Sequence, residues 1–436
     1  GDGLRCDHGE ACHGTCCPWG EVCFEGGCCQ PLTCGEIENS CGAAPDSCGE
    51  RLNCGECGGA YETCTDEGRC KRPWTYMRLV AYDSLWGSVG PGMGEVTDIV
   101  NYGLGPVGNN GQIHLTLLGD AHGNGGSIYA HVDETGIAVV DVPEINTGAV
   151  TTYTDFFAWV VSSYPADRYA ISVWGHGGGA LSGINPDDTS GDWLDPVEVG
   201  QTMSFLADLV GAKIDLVYFT NCVTQMVENL YEVRESVEYV VAGETLTGVW
   251  DDVLVIIDES PARDTESIAD STTLRQESTA PGYEKDVVFS SVDTSSVAAL
   301  SNLINTLAGL LIQVANEGPA QREQILTLVR QTEDMEYFAT PSYLGTYVDL
   351  HHMCRQLLVL GGDVEAAARE IMDLLSNQLV TQLFIQSDDV GRWVESRGVS
   401  IYHPNELPYL DYDPTYDGLD FVVDTQWDEY LRVVLQ

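Results

Sequence analysis

Lysine occurs only three times in this chain, at Lys71, Lys213 and Lys285, and all bases together number 19 against 67 acids. The formal charge of −48 makes nucleic acid and anionic membranes poor partners, because a surface this acidic repels polyanions. It suits a solubilising coat, or a marine or salt-rich setting where dense carboxylates stay hydrated and salt screens their repulsion. No run of about 18 apolar residues appears, so no membrane-spanning helix is expected. A complete EF-hand loop is also missing. So many carboxylates leave Ca²⁺ binding open all the same, although no cofactor is expected to be required. The chain opens GDGLRCDHGE with no signal peptide, and the expectation is a mature or trimmed form. Beyond residue 70, cysteine is reduced to Cys222 and Cys354.

The other fourteen cysteines lie between Cys6 and Cys70. An even, dense set in a short segment with few apolar residues reads as a disulfide scaffold, and therefore as an exported protein. From Cys6 to Cys28 the spacing is that of a cystine-knot mini-domain. A knot would pair Cys6–Cys17, Cys12–Cys23 and Cys16–Cys28, although spacing alone does not fix connectivity. Eight more cysteines follow in 29–70. Cys54-Gly-Glu-Cys57 also has zinc-ligand spacing, but the crowding favours disulfides. The division is thus 1–73, with modules at 6–28 and 29–70, and a main domain at 74–436. The first part has three roles open to it: binding substrate, attaching to a cell surface, or resisting proteases.

The main domain is organised around 169–233. An apolar run at 169–174 reads as a buried strand, with His176 just beyond its end and Gly177, Gly178 and Gly179 behind the histidine. A second buried strand, 214–219, is followed by Cys222, and a helix is expected to start at once and run through Met226 and Leu230. Helical periodicity at 197–211 lies between the two. Strand–helix–strand–helix is a βαβ unit with parallel neighbouring strands, so His176 and Cys222 emerge at the same carboxyl edge. There a helix N-terminus would favour the Cys222 thiolate. His176 would move protons, and the N–H groups of Gly177 and Cys222 would receive the oxyanion of a tetrahedral acyl intermediate.

Around this unit, strands are expected at 76–82 and 113–118, a hairpin at 128–132 and 137–142, a helix at 153–163 and a strand at 237–242. Helices at 295–316, 320–331, 348–360 and 364–379, a strand at 398–403 and a final helix at 425–435 complete the pattern. His122-Gly123 is a second histidine candidate, set aside because His176 is one βαβ step from Cys222. Residues 183–195 form an acidic loop, a solvated surface first and a cation site or gate second. His351 and His352 point about 100° apart on a helix and suit packing and surface positions rather than a shared metal. Cys354 reads as a buried free thiol. Tyr409, Tyr412, Tyr416 and Tyr430 read as packing residues.

The segments PADRYAISVWGHGGG and FTNCVTQMVENLYEV, with Met226 and Glu228, resemble the clostripain family, in the peptidase clan of caspases, legumain and gingipains. WTYMRLVAYDSL, PEINTGAVTTYTDFFAWV, YVVAGETLTGVWDD, YLGTYVDLHHM and RGVSIYHPNE extend the resemblance in order across 74–436. It implies an α/β fold, a caspase-like mostly parallel sheet flanked by helices and preceded by the small disulfide-rich region. It also implies a His176–Cys222 dyad acting on protein or peptide substrates. The Cys-rich region is similar to modules of secreted myxobacterial proteins. Family members that cut after Arg or Lys usually carry an acid two residues before the cysteine, where this chain has Thr220. The resemblance places the S1 pocket at Thr220, Glu244, Asp251 and Asp252, so that one of the three acids would have to replace the missing charge. Family members also often cut themselves after a base between histidine and cysteine, yet 177–212 contains no Lys or Arg.

The expected activity is that of a secreted cysteine endopeptidase working through a thioester acyl-enzyme. The alternatives are a binding or adhesion protein on a degenerate peptidase fold, and a transpeptidase or ligase using the same dyad.

Overall fold

A computed structural model describes residues 11–13, 15–35, 41–59, 61–66, 68–83, 111–121, 126–133, 136–247, 253–276, 287–332, 347–387, 393–404 and 416–436. The main domain is built on a sheet of ten strands among the described residues. In chain order its strands are β1 (Cys70–Ala81), β2 (Ile113–Asp120), β3 (Ser127–Asp133), β4 (Gly136–Val142) and, after helix α1 (Val150–Ser163), β5 (Ala166–Trp174). A small hairpin follows, β6 (Ile184–Asp187) and β7 (Asp192–Leu194), and then α2 (Pro196–Val210), β8 (Ile214–Phe219), α3 (Val227–Val233) and β9 (Val237–Gly243). Helices α4 (Val253–Glu259) and α5 (Thr265–Leu274) lead to β10 (Val287–Asp293). After α6 (Val297–Asn316) and α7 (Pro319–Val329) come β11 (Tyr347–Asp349), α8 (Leu350–Leu357), α9 (Gly362–Leu374) and β12 (Val380–Gln386). The chain closes with β13 (Ser400–Tyr402), α10 (Asp420–Asp424) and α11 (Trp427–Val434).

The spatial order is β4-β3-β2-β1-β5-β8-β9-β10-β12, and Thr63–Cys64 pairs with the start of β1 as the tenth strand. The five strands from β2 to β9 are parallel, and antiparallel strands flank them on both sides. The sheet is therefore mixed, with the expected parallel strands at its centre and antiparallel strands at its edges. From β1 the chain first steps to β2 on one side, then returns to lay β5 on the other. The strand order thus reverses between β1 and β5, and open α/β sheets hold their ligands outside the strand ends at such a reversal.

Alternation along the strands explains why both faces need cover. Ile214, Val217 and Phe219 of β8 join the core beneath α1, α2 and α3, whereas Leu216 and Tyr218 join the opposite core beneath α4 and α5. Strands buried on both faces read as continuous apolar runs, which is why these were easy to place. Helix α2 is equally well signalled: Asp195 caps it in a reciprocal box with Glu198, Pro196 opens it and Gly211 closes it in the left-handed region.

Four expectations change. The helix expected from 348 is preceded by β11, which pairs with β13, and β12 follows directly on a helical pattern that masks it. A helix long and apolar enough to cross a bilayer does exist, Thr294–Asn316, with mean hydropathy 1.6. It buries Leu300, Ile304, Leu307 and Leu311 within the core, each worth about 1.5–3 kcal/mol. His351 and His352 are both buried, so neither is a surface residue. Finally, the knot pairing holds only for Cys12–Cys23. Cys17 bonds Cys28, which rules out both Cys6–Cys17 and Cys16–Cys28.

Further disulfides among the described residues are Cys29–Cys48, Cys34–Cys54, Cys41–Cys64 and Cys57–Cys70, so the two cysteines of the CxxC are engaged in disulfides. Cys70 opens β1, four residues before Trp74, and the Cys-rich region runs without a break into a central strand of the sheet. Cys354 is a buried free thiol, as expected. Tyr416 and Tyr430 are buried, while Tyr409 and Tyr412 lie outside the described residues.

Candidate functional site

Register sets the heights of the two reactive residues. Val173 of β5 lies opposite Phe219 of β8 in a parallel pair, and His176 and Cys222 each follow three residues later. Adjacent strands are about 4.8 Å apart, so the two segments leave the sheet side by side at its carboxyl edge. The backbones meet there. A methyl group added to Gly177 would fall 2.6 Å from the Cys222 carbonyl oxygen and 2.9 Å from its nitrogen, so only glycine fits.

A buried amide network joins the two segments. Asn221 Nδ2 donates to the His176 carbonyl at 2.9 Å and to Asn185 Oδ1 at 2.9 Å. The Asn185 N–H also donates to the His176 carbonyl, and Asn185 Nδ2 donates to the Tyr153 hydroxyl, which in turn donates to Thr147. On the far side of the glycines, the Tyr347 hydroxyl donates to the Gly178 carbonyl at 2.6 Å. The Tyr347 ring fills the space beside Gly179, whose φ is +70°. Sequence reading did not single out Asn185, Asn221 or Tyr347. Asn185 has φ +53°, and an asparagine in a turn-rich loop was its one available signal.

Cys222 is half-buried with a free thiol. The expected helix N-terminus is not behind it: α3 starts only at Val227, and Met226 is still extended. The intervening turn is held from elsewhere, with the Val223 N–H donating to Thr245 and the Gln225 N–H to Gly243. Val223 has φ +47°, an unusual value for a β-branched residue and a local strain of about 1–3 kcal/mol beside the thiol. Burial pushes the Cys222 thiol up, and contacts from Thr247 pull it partly back. Thr247 holds the sulfur on both sides: its N–H donates to Sγ at 3.3 Å, and Sγ lies 3.8 Å from its carbonyl oxygen. Neither the Gly177 nor the Cys222 N–H donates a hydrogen bond among the described residues.

Thr220 is buried, its N–H and its hydroxyl both directed to the Val173 carbonyl at 3.0 and 3.2 Å. Glu244 is fully buried and accepts from the Gly398 N–H at 3.0 Å. Asp251, Asp252 and the alternative His122 lie outside the described residues. Met226 and Glu228 are core residues. Glu228 Oε1 accepts from the Tyr402 N–H and the Tyr416 hydroxyl, and burial pushes the acid up to about 7.

A second cluster occupies the same edge. Asp83 follows β1, Asp120 ends β2 and Asp187 ends β6, and all three are buried. Burial, together with the charges of Glu144, Asp187 and Asp83, pushes Asp120 up to about 8 against the pull of the Ser127 hydroxyl.

With this geometry in hand, the chain can be set beside known proteins. A model of the clostripain family matches residues 110–433. A search of curated proteins returns no match. Among solved structures, the chain is similar to an inactive zymogen protease from Parabacteroides distasonis. That similarity has TM-score 0.57 and 17% identity, and it covers 81% of this chain and 98% of the other. It is also similar to a secreted cysteine protease from Bacteroides thetaiotaomicron in complex with an irreversible peptide inhibitor. Here the TM-score is 0.55 and the identity 18%, with 83% of this chain and 99% of the other covered. At these identities the structural likeness speaks for the fold.

Proposed function

Because the chain belongs to the clostripain family of cysteine proteases, we propose that it is a secreted endopeptidase that opens peptide bonds through His176 and Cys222. The observation that carries this reading is the shared height of the two residues at one sheet edge, with the Gly177 backbone pressed against that of Cys222.

In the proposed reaction, Cys222 Sγ attacks the scissile carbonyl carbon as its proton passes to His176. The imidazolium gives that proton to the departing amine, which leaves a thioester. Water then attacks the thioester while His176 takes its proton, and the thiol is restored. The free N–H groups of Gly177 and Cys222 are the donors for the oxyanion in both halves. Burial raises the Cys222 thiol, which favours transfer of its proton during attack. The Thr247 contacts to the sulfur must yield to substrate.

Thr220 directs its hydroxyl to Val173 and has no charge to offer, so Glu244, Asp251 and Asp252 remain the acids proposed for a basic P1 side chain. The disulfides and the secreted fold neighbour support an extracellular setting. Peptide substrates follow from the same reading.

A fluorogenic P1 library tests the proposal, run on the purified chain beside Cys222→Ala. Cleavage that disappears in the variant is expected. Turnover that survives it, or an intact chain that neither turns over nor is labelled at Cys222 by an acyl-directed thiol reagent, would sink the reading and favour a binding protein.

A further inference from the structure

We infer that Asn185 is a positioning residue for the oxyanion: with Asn221 it fixes the plane of the His176–Gly177 peptide, so that the Gly177 N–H faces the Cys222 side. Asn185 acts here within the proposed peptidase reading, one residue beyond the dyad and the donors already named.

Gly177 forms an isolated antiparallel bridge with Ile184 of β6. Its two hydrogen bonds flank the bridged pair. One runs from the Asn185 N–H to the His176 carbonyl at 2.9 Å, the other from the Gly178 N–H to the Gly183 carbonyl at 2.9 Å. Gly177 and Ile184 are thus a non-hydrogen-bonded pair, in which each residue turns its own N–H and C=O away from the other strand. Hairpin β6–β7 lies over the end of β1, where the Asp188 N–H donates to the Asp83 carbonyl, while Cys222 arrives from β8 on the other side of β5. The Gly177 N–H is therefore turned toward the segment that bears the thiol.

Side chains lock that orientation. Asn221 Nδ2 donates to the His176 carbonyl and to Asn185 Oδ1, each at 2.9 Å, and Asn185 Nδ2 donates to the Tyr153 hydroxyl at 2.9 Å. The Tyr153 hydroxyl donates in turn to the Thr147 carbonyl at 2.7 Å. A backbone carbonyl closes the chain at each end, which leaves one consistent direction for both amides. The His176 carbonyl accepts two hydrogen bonds, and a peptide polarised at its oxygen is a stronger donor through its N–H. Asn185 is fully buried with φ +53°, a conformation that asparagine tolerates better than most residues. A methyl group on Gly175 would overlap its Oδ1.

The test separates a tetrahedral adduct from a simple alkylation. A peptide aldehyde takes the Cys222 sulfur on its carbonyl carbon and the thiol proton on its oxygen, giving a hemithioacetal whose oxygen uses the Gly177 N–H. Iodoacetamide loses iodide to the same sulfur and makes no such oxygen. The aldehyde carries the best sequence from the P1 library, and each variant is read against the parent. Asn185→Gly keeps the backbone N–H and suits the positive φ while deleting the amide. It should lower kcat and aldehyde affinity about 10–100-fold, with KM, the iodoacetamide rate and its pH midpoint unchanged. Tyr153→Phe removes one hydrogen bond from the chain and should lower the same two quantities about 3–10-fold. That variant carries the test if the glycine variant does not fold. A folded variant with parental aldehyde affinity would overturn the role of Asn185. A shifted alkylation midpoint would assign the residue to the histidine's proton rather than to the oxyanion. A parent without Cys222-dependent cleavage would instead sink the peptidase reading, and the role of Asn185 with it.

Discussion

The side-chain amide of Asn221 donates to the backbone carbonyl of His176 at 2.9 Å, so the residue before the thiol holds the segment that carries the histidine. The geometry of the proposed dyad is therefore held by an amide that would take no part in proton transfer. Asn221→Ala should lower kcat about 10–100-fold with KM nearly unchanged, because substrate contacts survive while the histidine loses its anchor. The buried carbonyl left behind should cost about 1–3 kcal/mol in a denaturant melt. Asn221→Asp should fail in the same way, since a carboxylate cannot donate. A change confined to KM would show that Asn221 belongs to the substrate cleft instead.

Gly177→Ala places a methyl group 2.6 Å from the Cys222 carbonyl oxygen and 2.8 Å from Asn221 Cβ. Backbone must move to admit it. Overpacking of this kind costs about 1–3 kcal/mol, and a displaced oxyanion donor lowers kcat about 100–1000-fold. A variant with parental kcat and melting temperature would place Gly177 outside the site.

Because burial raises the Cys222 thiol and no helix end lowers it, alkylation by iodoacetamide should rise through a midpoint above that of free cysteine. Denatured protein provides the reference. A midpoint below neutrality would mean that His176 and Cys222 rest as an ion pair and that the proton moves before substrate arrives.

Thr220→Asp is the substitution that would restore the usual family acid, yet it should not create a preference for Arg or Lys at P1. The hydroxyl donates to Val173, and a carboxylate there would face a carbonyl without a proton to give. A loss of about 1–3 kcal/mol with an unchanged P1 profile is expected. A gain of basic P1 cleavage would show that the side chain can swing out.

Glu228 holds its proton up to about 7 in the fold, above the ordinary glutamate value. Below the unfolded pKa both states are protonated and the group contributes nothing. Between the unfolded and folded pKa values the native state keeps a proton that the unfolded chain releases, so stability falls as pH rises and levels off above about 7. The total is on the order of 3 kcal/mol. Urea melts of the parent should carry this slope and those of Glu228→Gln should lack its share. Identical pH profiles would locate the slope elsewhere.

The sheet edge was legible because strands β5 and β8 are buried on both faces and declare themselves as apolar runs, so His176 and Cys222 could be placed by counting from strand ends. The late start of α3 was not. The stretch before it is held out of the helix by Thr245, Gly243 and Ser400, partners that no local pattern announces. Asn185 and Thr247 escaped notice for the same reason: each acts through a contact made only when distant segments meet. Met226 and Glu228 were found by resemblance to the family, and the structure gives them packing and hydrogen-bonding work in the core rather than chemistry. Strand β12 was hidden by the helical pattern running into it, and the disulfide pairing was beyond what spacing can specify.

The disulfide at Cys70 stands at the first residue of β1, and the proposed catalytic edge stands at its other end. Twelve residues of extended chain separate the two by about 36–40 Å. That is too far for the Cys57–Cys70 disulfide to touch the residues flanking a scissile bond at the proposed site, so that end of the sheet would serve as a handle. An enzyme moored by that handle would hold its cleft outward, reaching substrates that pass in the surrounding fluid rather than the material to which it is fastened.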